Sequence, residues 1–419
     1  MCTVSGKFCF HNVGQGGFYS GMIKCDKNNF TFVYDCGTLS PHKFVTDAIK
    51  DFSRSIEVKE KLNLLVLSHM DADHVNGVSD LINICNIRQI DILVMPYMTL
   101  LDRTILLSYY TKRSPDNNSE WYYEFIIDPI GFFSGKDINI NHIVFVSNRD
   151  EYDERNEDIL QFDDLNCEFV GWENKKKENT LLVEYNKSEG LTNRLHCIEN
   201  FKINSYKKWK FEFWCDCREF RTGIYEKVKN KITELGLNIN SIDSIRDVFD
   251  NKRKELAACY GETRIAPNDM SVVLLHYPII ESFSSNIDLA IMKPFEYGCL
   301  LSSACYPLLN NQGDKNKTLL LGDINLKSTF TEIWDYFNLT DIKDEILICT
   351  VPHHGSRYSW ECEIINRCAD SIFVVSSGIH GRFKHPHNDV VRDFKKYCNT
   401  PLLWNNEYSK IYISLKDEK

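Results

Sequence analysis

The segment Ser68-His69-Met70-Asp71-Ala72-Asp73-His74 constrains this chain most. It follows the apolar run Leu62–Leu67, which reads as a buried strand, and precedes Gly77 and a helix-like stretch. His69, Asp71, Asp73 and His74 are nitrogen and oxygen donors of the kind that hold hard or borderline divalent metals. Donors crowded at a strand end point to a site built on a layered α/β scaffold rather than to a helical bundle.

The rest of the chain repeats that arrangement. Apolar strands are expected at 7–13, 18–24, 30–35, 90–96, 271–275, 318–321, 345–349, 371–375 and 410–415, with an amphipathic helix over 43–57 and another carrying Val78, Leu81, Ile82 and Cys85. Polar clusters follow strands again at Asp323, at His353-His354 and at His385 with His387. A dinuclear site needs such convergence, with cations about 3.5–4 Å apart. Between about 100 and 265 the strand pattern weakens, and helical spacing appears over 224–258. This stretch reads as an insertion into a single domain spanning 1–419.

The net charge of −10 argues against a broad basic face that coats nucleic acid. The 16 cysteines are scattered without a CxxC pair, so free thiols are expected rather than a zinc knuckle or a disulfide framework. The N-terminus carries no secretory pattern and no apolar run is long enough to span a membrane, so a soluble, cytoplasmic protein is expected.

Six stretches in order carry a resemblance: Asn12-Val13-Gly14-Gln15-Gly16, Tyr34-Asp35-Cys36-Gly37-Thr38, Ser68–His74 with Gly77, Leu320-Leu321-Gly322-Asp323-Ile324, Val351-Pro352-His353-His354-Gly355-Ser356, and His385-Pro386. Together they resemble the metallo-β-lactamase fold, and within it the hydrolase domain of ComEC-type competence DNA-uptake proteins and their stand-alone relatives. The resemblance does not cover 100–265. It implies an αββα sandwich with a large insertion at its rim. It also implies two divalent metal ions, zinc or manganese, and hydrolysis by a metal-bound hydroxide.

By that resemblance His69 and Asp71 belong to the first metal and Asp73 and His74 to the second. Asp323 bridges them, and His385 is the late ligand of the second metal. Asp73 and His354 are the expected catalytic residues, with His354 beside the scissile group. Gly355 and Ser356 are expected donors to an anion. Asp35 is expected to orient a ligand from behind, with His353 also beside the metals. Asp71 stands where the superfamily usually has histidine, and Asn12 and Gly17 where the family has aspartate. The usual third histidine of the first metal is missing near Pro267–Ser271, where Asn268, Asp269 or a water fills the place.

Phosphodiester cleavage, by a phosphodiesterase or nuclease acting on nucleic acid or nucleotides, is the activity this resemblance implies first. Hydrolysis of an amide, ester or thioester by a peptidase-like effector is the second reading. A non-catalytic metal-binding sensor or scaffold, working with a protein partner through 100–265, is the third. Other features read as structural. Gly14 and Gly16 form a turn, and His11, His42, His142, His196 and His276 are structural or core residues. His380 and His387 lie at the surface or behind the ligands, and Lys175–Lys177 form a solvated loop. Cys215 and Cys217 are thiols. The run Tyr206–Trp214 reads as an amphipathic element, with single-stranded nucleic-acid binding as its alternative.

Overall fold

The computed structural model describes residues 4–55, 60–113, 120–136, 138–147, 158–161, 167–173, 178, 180–181, 195–206, 208–216, 222–259, 270–279, 315–342, 345–379, 381, 383–396 and 400–416. Asn268, Asp269, Lys175–Lys177, Lys207, Cys217 and His380, all singled out above, lie outside these residues.

The first half of the chain lays down β1 (Val4–Phe10), β2 (Phe18–Cys25), β3 (Asn28–Cys36), β4 (Lys61–Val66), β5 (Gln89–Pro96) and β6 (Asn139–Ser147). After a hairpin of β7 (Asp158–Gln161) and β8 (Cys167–Glu173) come β9 (Leu195–Ser205) and β10 (Trp209–Cys215). The second half adds β11 (Val272–Pro278), β12 (Lys317–Leu320), β13 (Ile346–Thr350), β14 (Ile372–Ser376), β15 (Leu402–Asn405) and β16 (Ile411–Lys416). These strands hydrogen-bond in the order β15-β14-β13-β12-β11-β10-β9-β6-β5-β4-β3-β2-β1-β16.

That ribbon is folded on itself. Phe8, Phe32, Leu64 and Val94 of one half share a buried cluster with Trp209, Phe211, Leu274, Leu320 and Ile348 of the other. The outer face of the first half carries a second cluster, formed with the helices Lys43–Ser55, Val78–Ile84, Leu100–Arg113, Glu120–Ile127 and the helices between Thr222 and Cys259. A third lies under Leu326–Tyr336, Glu363–Arg367 and Asn388–Lys396 on the outer face of the second half. The result is an αββα sandwich, as expected. Burial on both faces explains why the central strands read as unbroken apolar runs instead of alternating.

Two devices join the sheets at their margins. The N-terminal part of β9 pairs in parallel with β6, and its C-terminal part pairs antiparallel with β10. At the opposite margin a tight turn closed by Asn406 and Ser409 carries the chain from β15 to β16. Residues 100–265 therefore do more than decorate the rim: β6, β9 and β10 complete the sheets and connect them. The segment Tyr206–Trp214 supplies β10, with Trp209, Phe211 and Phe213 fully buried in the inter-sheet core. Its aromatic residues face the core, so the stacking-surface alternative does not hold for it. The alternation of aromatic with Lys210 and Glu212 fits one strand with an inward apolar face.

Sequence bounds for most strands hold to within one or two residues. Two strands depart further: β1 begins at Val4 and ends at Phe10, so 11–13 belong to the following turn, and β11 runs on to Pro278, three residues past its expected end. Among the described residues no helix is long and apolar enough to cross a membrane.

His276 lies at the centre of the inter-sheet core with no exposed surface. The Trp209 indole N–H donates to its Nδ1 at 3.3 Å, which leaves the proton on Nε2, 3.0 Å from the Tyr19 hydroxyl. Burial pushes its pKa down to about 3. The folded state thus binds this proton more weakly than the unfolded chain, so stability is full above about pH 6.5 and falls as pH drops toward 3. His276→Gln keeps a donor and an acceptor but cannot titrate. Urea denaturation at pH 7 and pH 5 will show a shallower acid loss in this variant, by up to about 1.4 kcal/mol per pH unit.

Candidate metal centre

Parallel pairing decides where the site lies. Strands β3 and β4 run parallel in one sheet, and β12, β13 and β14 run parallel in the other. Their C-terminal ends share one rim, and the polar clusters follow those ends. Asp35 precedes the last residue of β3, His69 and Asp71 follow β4, Asp323 follows β12, and His353 and His354 follow β13. Asp73 and His74 sit on the single helical turn Ala72–Val75.

The sheets are stapled directly beneath this rim. The Val272 amide donates to the Ser68 carbonyl at 2.7 Å, and the Tyr34 hydroxyl donates to the Val272 carbonyl at 2.7 Å. Gly322, at φ +55°, turns the chain from β12 into Asp323. A Cβ there would also press on Tyr34, Ser271 and Ser68 at 3.0–3.2 Å, so the position suits glycine twice over. Gly37 is needed for close approach: a Cβ would stand 2.6 Å from the Asp73 carbonyl carbon and oxygen. The Gly17 amide donates to that same Asp73 carbonyl at 3.0 Å, which makes the 14–17 turn a support for the helical turn.

Asp35 fixes the site from behind. One of its oxygens accepts from the Ser68 amide at 2.7 Å. The other accepts from the Ser68 hydroxyl at 2.6 Å and from His74 Nδ1–H at 2.8 Å. Because the Ser68 hydroxyl spends its proton on Asp35, His69 Nδ1–H donates to Ser68 Oγ at 2.9 Å. Both imidazoles are thereby locked with Nε2 facing inward. His69 Nε2 is buried without a hydrogen-bond partner. Burial opposes charge on His74, but Asp323 and Asp35 outweigh it and hold this ring well above its usual range, so without a cation its Nε2 carries a proton toward Asp323.

What these nitrogens face is more electron density. His74 Nε2 lies 3.3 Å from one oxygen of Asp323. The other oxygen lies 3.8 Å from His69 Nε2, 3.6 Å from His354 Nε2 and 3.8 Å from His353 Nε2. His354 Nδ1–H donates to the Ser376 carbonyl at 2.8 Å, and its Nε2 stands 3.0 Å from Asp73 Oδ2. Two groups emerge whose donor atoms lie within 4.8 Å of one another: His69, His74 and Asp323, and Asp73, His74 and His354. Lone pairs at such distances need a proton or a cation between them. Two buried carboxylates, Asp73 and Asp323, among converging imidazole nitrogens match the donor chemistry of divalent metal sites.

Electrostatics follow the same pattern. Burial pushes the His69 pKa down to about 3, so the ring is neutral and able to donate its lone pair. Burial and the charge on Asp73 push the Asp71 carboxyl up to about 7. Burial opposes ionisation of Asp323 as well, but the imidazoles of His354, His74 and His353 outweigh it and hold this carboxyl well below its usual range. Burial, with His354 and His353 adding to it, pushes His385 down to about 4.

The expected residues are thus distributed unevenly. His69, Asp73, His74, Asp323 and His354 converge, with Asp71 4.0 Å from His69 Nε2. His354 joins a donor group, although the sequence set it beside the scissile bond. His385, expected as a ligand, is in neither donor group; its ring lies 6.4 Å from that of His354 and 6.3 Å from that of His353. The Gly355 amide donates to Pro352 O and the Ser356 amide to His353 O within the turn, and the Ser356 hydroxyl oxygen accepts from the Tyr358 amide at 3.4 Å. His353, His354 and Gly355 all have left-handed backbones, at φ 48°, 55° and 82°. Such strain in non-glycine residues costs about 1–3 kcal/mol each and concentrates at functional sites.

One neighbour had no signal in the sequence. The Tyr110 hydroxyl, on the helix Leu100–Arg113, faces the Asp71 carboxyl and favours its ionised form, and the Tyr110 ring lies 5.2 Å from that of Tyr122. A lone tyrosine in an apolar helix is indistinguishable from a core residue, so nothing in the pattern marks it. On the core side of the cluster lies a cavity of about 50 Å³, lined by Tyr34, His74, Asp323, His354 and Ser376 among others. That is room for a water or two.

The layering and the strand-end cluster are those of a metallo-β-lactamase-type fold. No protein-family model matches the chain, and no curated protein does. Among solved structures it is similar to a long form RNase Z from yeast, with a TM-score of 0.36 and 10% identity, over 97% of this chain and 41% of that one. The chain thus spans well under half the length of that enzyme. A likeness this distant says nothing about activity.

Asp35→Ala removes the acceptor that fixes both His69 and His74. Metal content after dialysis and calorimetric titration with Zn²⁺ or Mn²⁺ will show about 10–100-fold weaker binding than in the parent. Circular dichroism will show an unchanged fold.

Proposed function

We propose that this chain is a metal-dependent hydrolase acting on phosphodiesters, a phosphodiesterase or nuclease, akin in its motifs to the ComEC-type hydrolase domains. The observation that carries this reading is the pair of donor groups sharing His74, with the Nε2 atoms of His69 and His74 pointed at Asp323. His69, Asp71, His74, Asp73, His354 and Asp323 would hold two divalent cations. Zinc and manganese both suit this set, and Asp71 in place of an imidazole widens tolerance for manganese. When bound, such ions acidify water and neutralise charge building on phosphoryl oxygens.

The chain's own residues do the rest. Asp35 and Ser68 hold the imidazoles with Nε2 facing inward. Asp73 and Asp323 balance the cationic charge. His354 acts as a donor to the cation site, and His385 stands beside it, its ring 6.4 Å away.

One feature favours a phosphodiester over the amide, ester or thioester reading. Exposed Arg357 and Lys384 flank the His353–Gly355 and His385 segments in an otherwise acidic chain, which suits a polyanion.

Metal-loaded protein incubated with labelled DNA, RNA and cyclic nucleotides will cleave at least one of them. Asp73→Ala will lower that rate by at least about 100-fold while keeping the fold. An Asp73→Ala protein as active as the parent would overturn the assignment. A parent that binds metal but hydrolyses no diester would favour the sensor or scaffold reading.

A further inference from the structure

The second donor group is assembled from both sheets. Asp73 and His74 ride on the helical turn Ala72–Val75 beside the first sheet, and His354 follows β13 in the second. Asp73 and His354 meet at 3.0 Å. Each side has its own support. The Gly17 amide holds the Asp73 carbonyl at 3.0 Å, so the helical turn rests on the 14–17 turn. The Ser376 carbonyl, at the end of β14, accepts from His354 Nδ1–H at 2.8 Å and sets the direction of that ring. The group stays together only if the 14–17 turn and the end of β14 keep their relative place.

One side chain reaches both supports. Glu407 lies in the tight turn between β15 and β16 and is 8% exposed. Its Oε1 accepts from the Ser40 hydroxyl at 2.7 Å, and the Ser40 oxygen in turn accepts from the Gln15 amide at 3.1 Å. Its Oε2 accepts from the Ile379 amide at 3.0 Å, just past Ser376. The Gln15 side chain adds a second link, its Oε1 accepting from the Gly378 amide at 3.4 Å. The carboxylate fills a slot between two glycines: a Cβ at Gly14 or Gly378 would stand 2.6 or 2.9 Å from Oε1. Removing it would leave the Ser40 hydroxyl and the Ile379 amide without this acceptor, and the two supports without their common tie.

We propose that Glu407 is a positioning residue for the second of the two cations. It belongs to neither donor group and acts through the supports of Asp73 and His354. The first group hangs on other ties. Asp35 holds His74 directly and His69 through Ser68, and Ser271 Oγ accepts from the Asp323 amide. This rests on the two-cation centre of the proposed phosphodiesterase and adds a residue that acts on one ion of the pair. Loss of the clasp therefore loosens one site and spares the other.

The test uses the full-length protein, freed of metal by dialysis against a chelator and titrated with Mn²⁺ by calorimetry. Electron paramagnetic resonance on the loaded samples reads the exchange coupling of paired Mn²⁺ ions. The parent will take up two ions in separate steps and show the coupled signal. Glu407→Ala will weaken one step by about 10–100-fold, as losses behind a ligand do, and leave the other unchanged. At limiting Mn²⁺ its coupled signal will give way to that of an isolated ion. Glu407→Gln, whose amide accepts from Ile379 and donates to Ser40, will keep both steps and the coupling. Ser40→Ala cuts one arm and spares the Ile379 bond; it carries the same expectation and the same refutation should Glu407→Ala fail to fold. Both steps left intact in the alanine variants, both weakened alike, or a parent that binds a single ion would overturn the assignment. Hydrolysis of bis(p-nitrophenyl) phosphate by the parent is read separately. Its absence would end the phosphodiesterase reading, while the two binding steps would still decide the role of Glu407.

Discussion

The buried carboxylate of Asp35 is the constraint on which the site depends. It takes three hydrogen bonds from Ser68 and His74, and through the Ser68 hydroxyl it dictates the proton position on His69 as well. One acceptor thus orients two imidazoles. The consequence is that His69 Nε2 and His74 Nε2 both point inward at Asp323, where only a proton or a cation completes them. Burying such atoms is costly unless they are so completed. Shape and electrostatics of the site therefore agree: the fold has prepared a place for positive charge.

The sandwich makes that preparation possible. Tyr34, Ser68, Val272 and Ser271 tie the two sheets together immediately below the rim. Asp323 reaches across from the second sheet, with its amide donating to Ser271 Oγ at 3.1 Å. Glycines at 37 and 322 let backbones approach where any side chain would wedge them apart. The interior behind the site is dense with aromatic rings, among them Phe8, Tyr19, Phe32, Trp209 and Phe211 around His276. Such packing gives the ligands a rigid floor.

Chemistry at the rim then divides by exposure. Residues nearest the core are committed to one another and to the cations they would hold. His385 lies further out, its ring 6.4 Å from that of His354.

Much of this was legible in the chain. Continuous apolar runs marked the doubly buried strands, and His69, Asp71, Asp73, His74 and Asp323 declared themselves by position, because a donor just past a strand end has few other uses. Strands β6 and β9 were not legible: they lie in a stretch of mixed polarity, and only pairing with β5, β8 and β10 defines them. Nor could the sequence divide the roles of His354 and His385. Both follow strands, and their difference arises from a left-handed turn at His353–Gly355 that swings His354 toward Asp73. Tyr110 reaches Asp71 only because a helix from 100–113 packs on the first sheet. Local pattern, then, marked donor residues that the fold gathers and showed that they belong to a layered sheet. Tertiary structure alone decided which of them touch, since contact between residues hundreds of positions apart depends on strand pairing and packing that no short window of sequence contains.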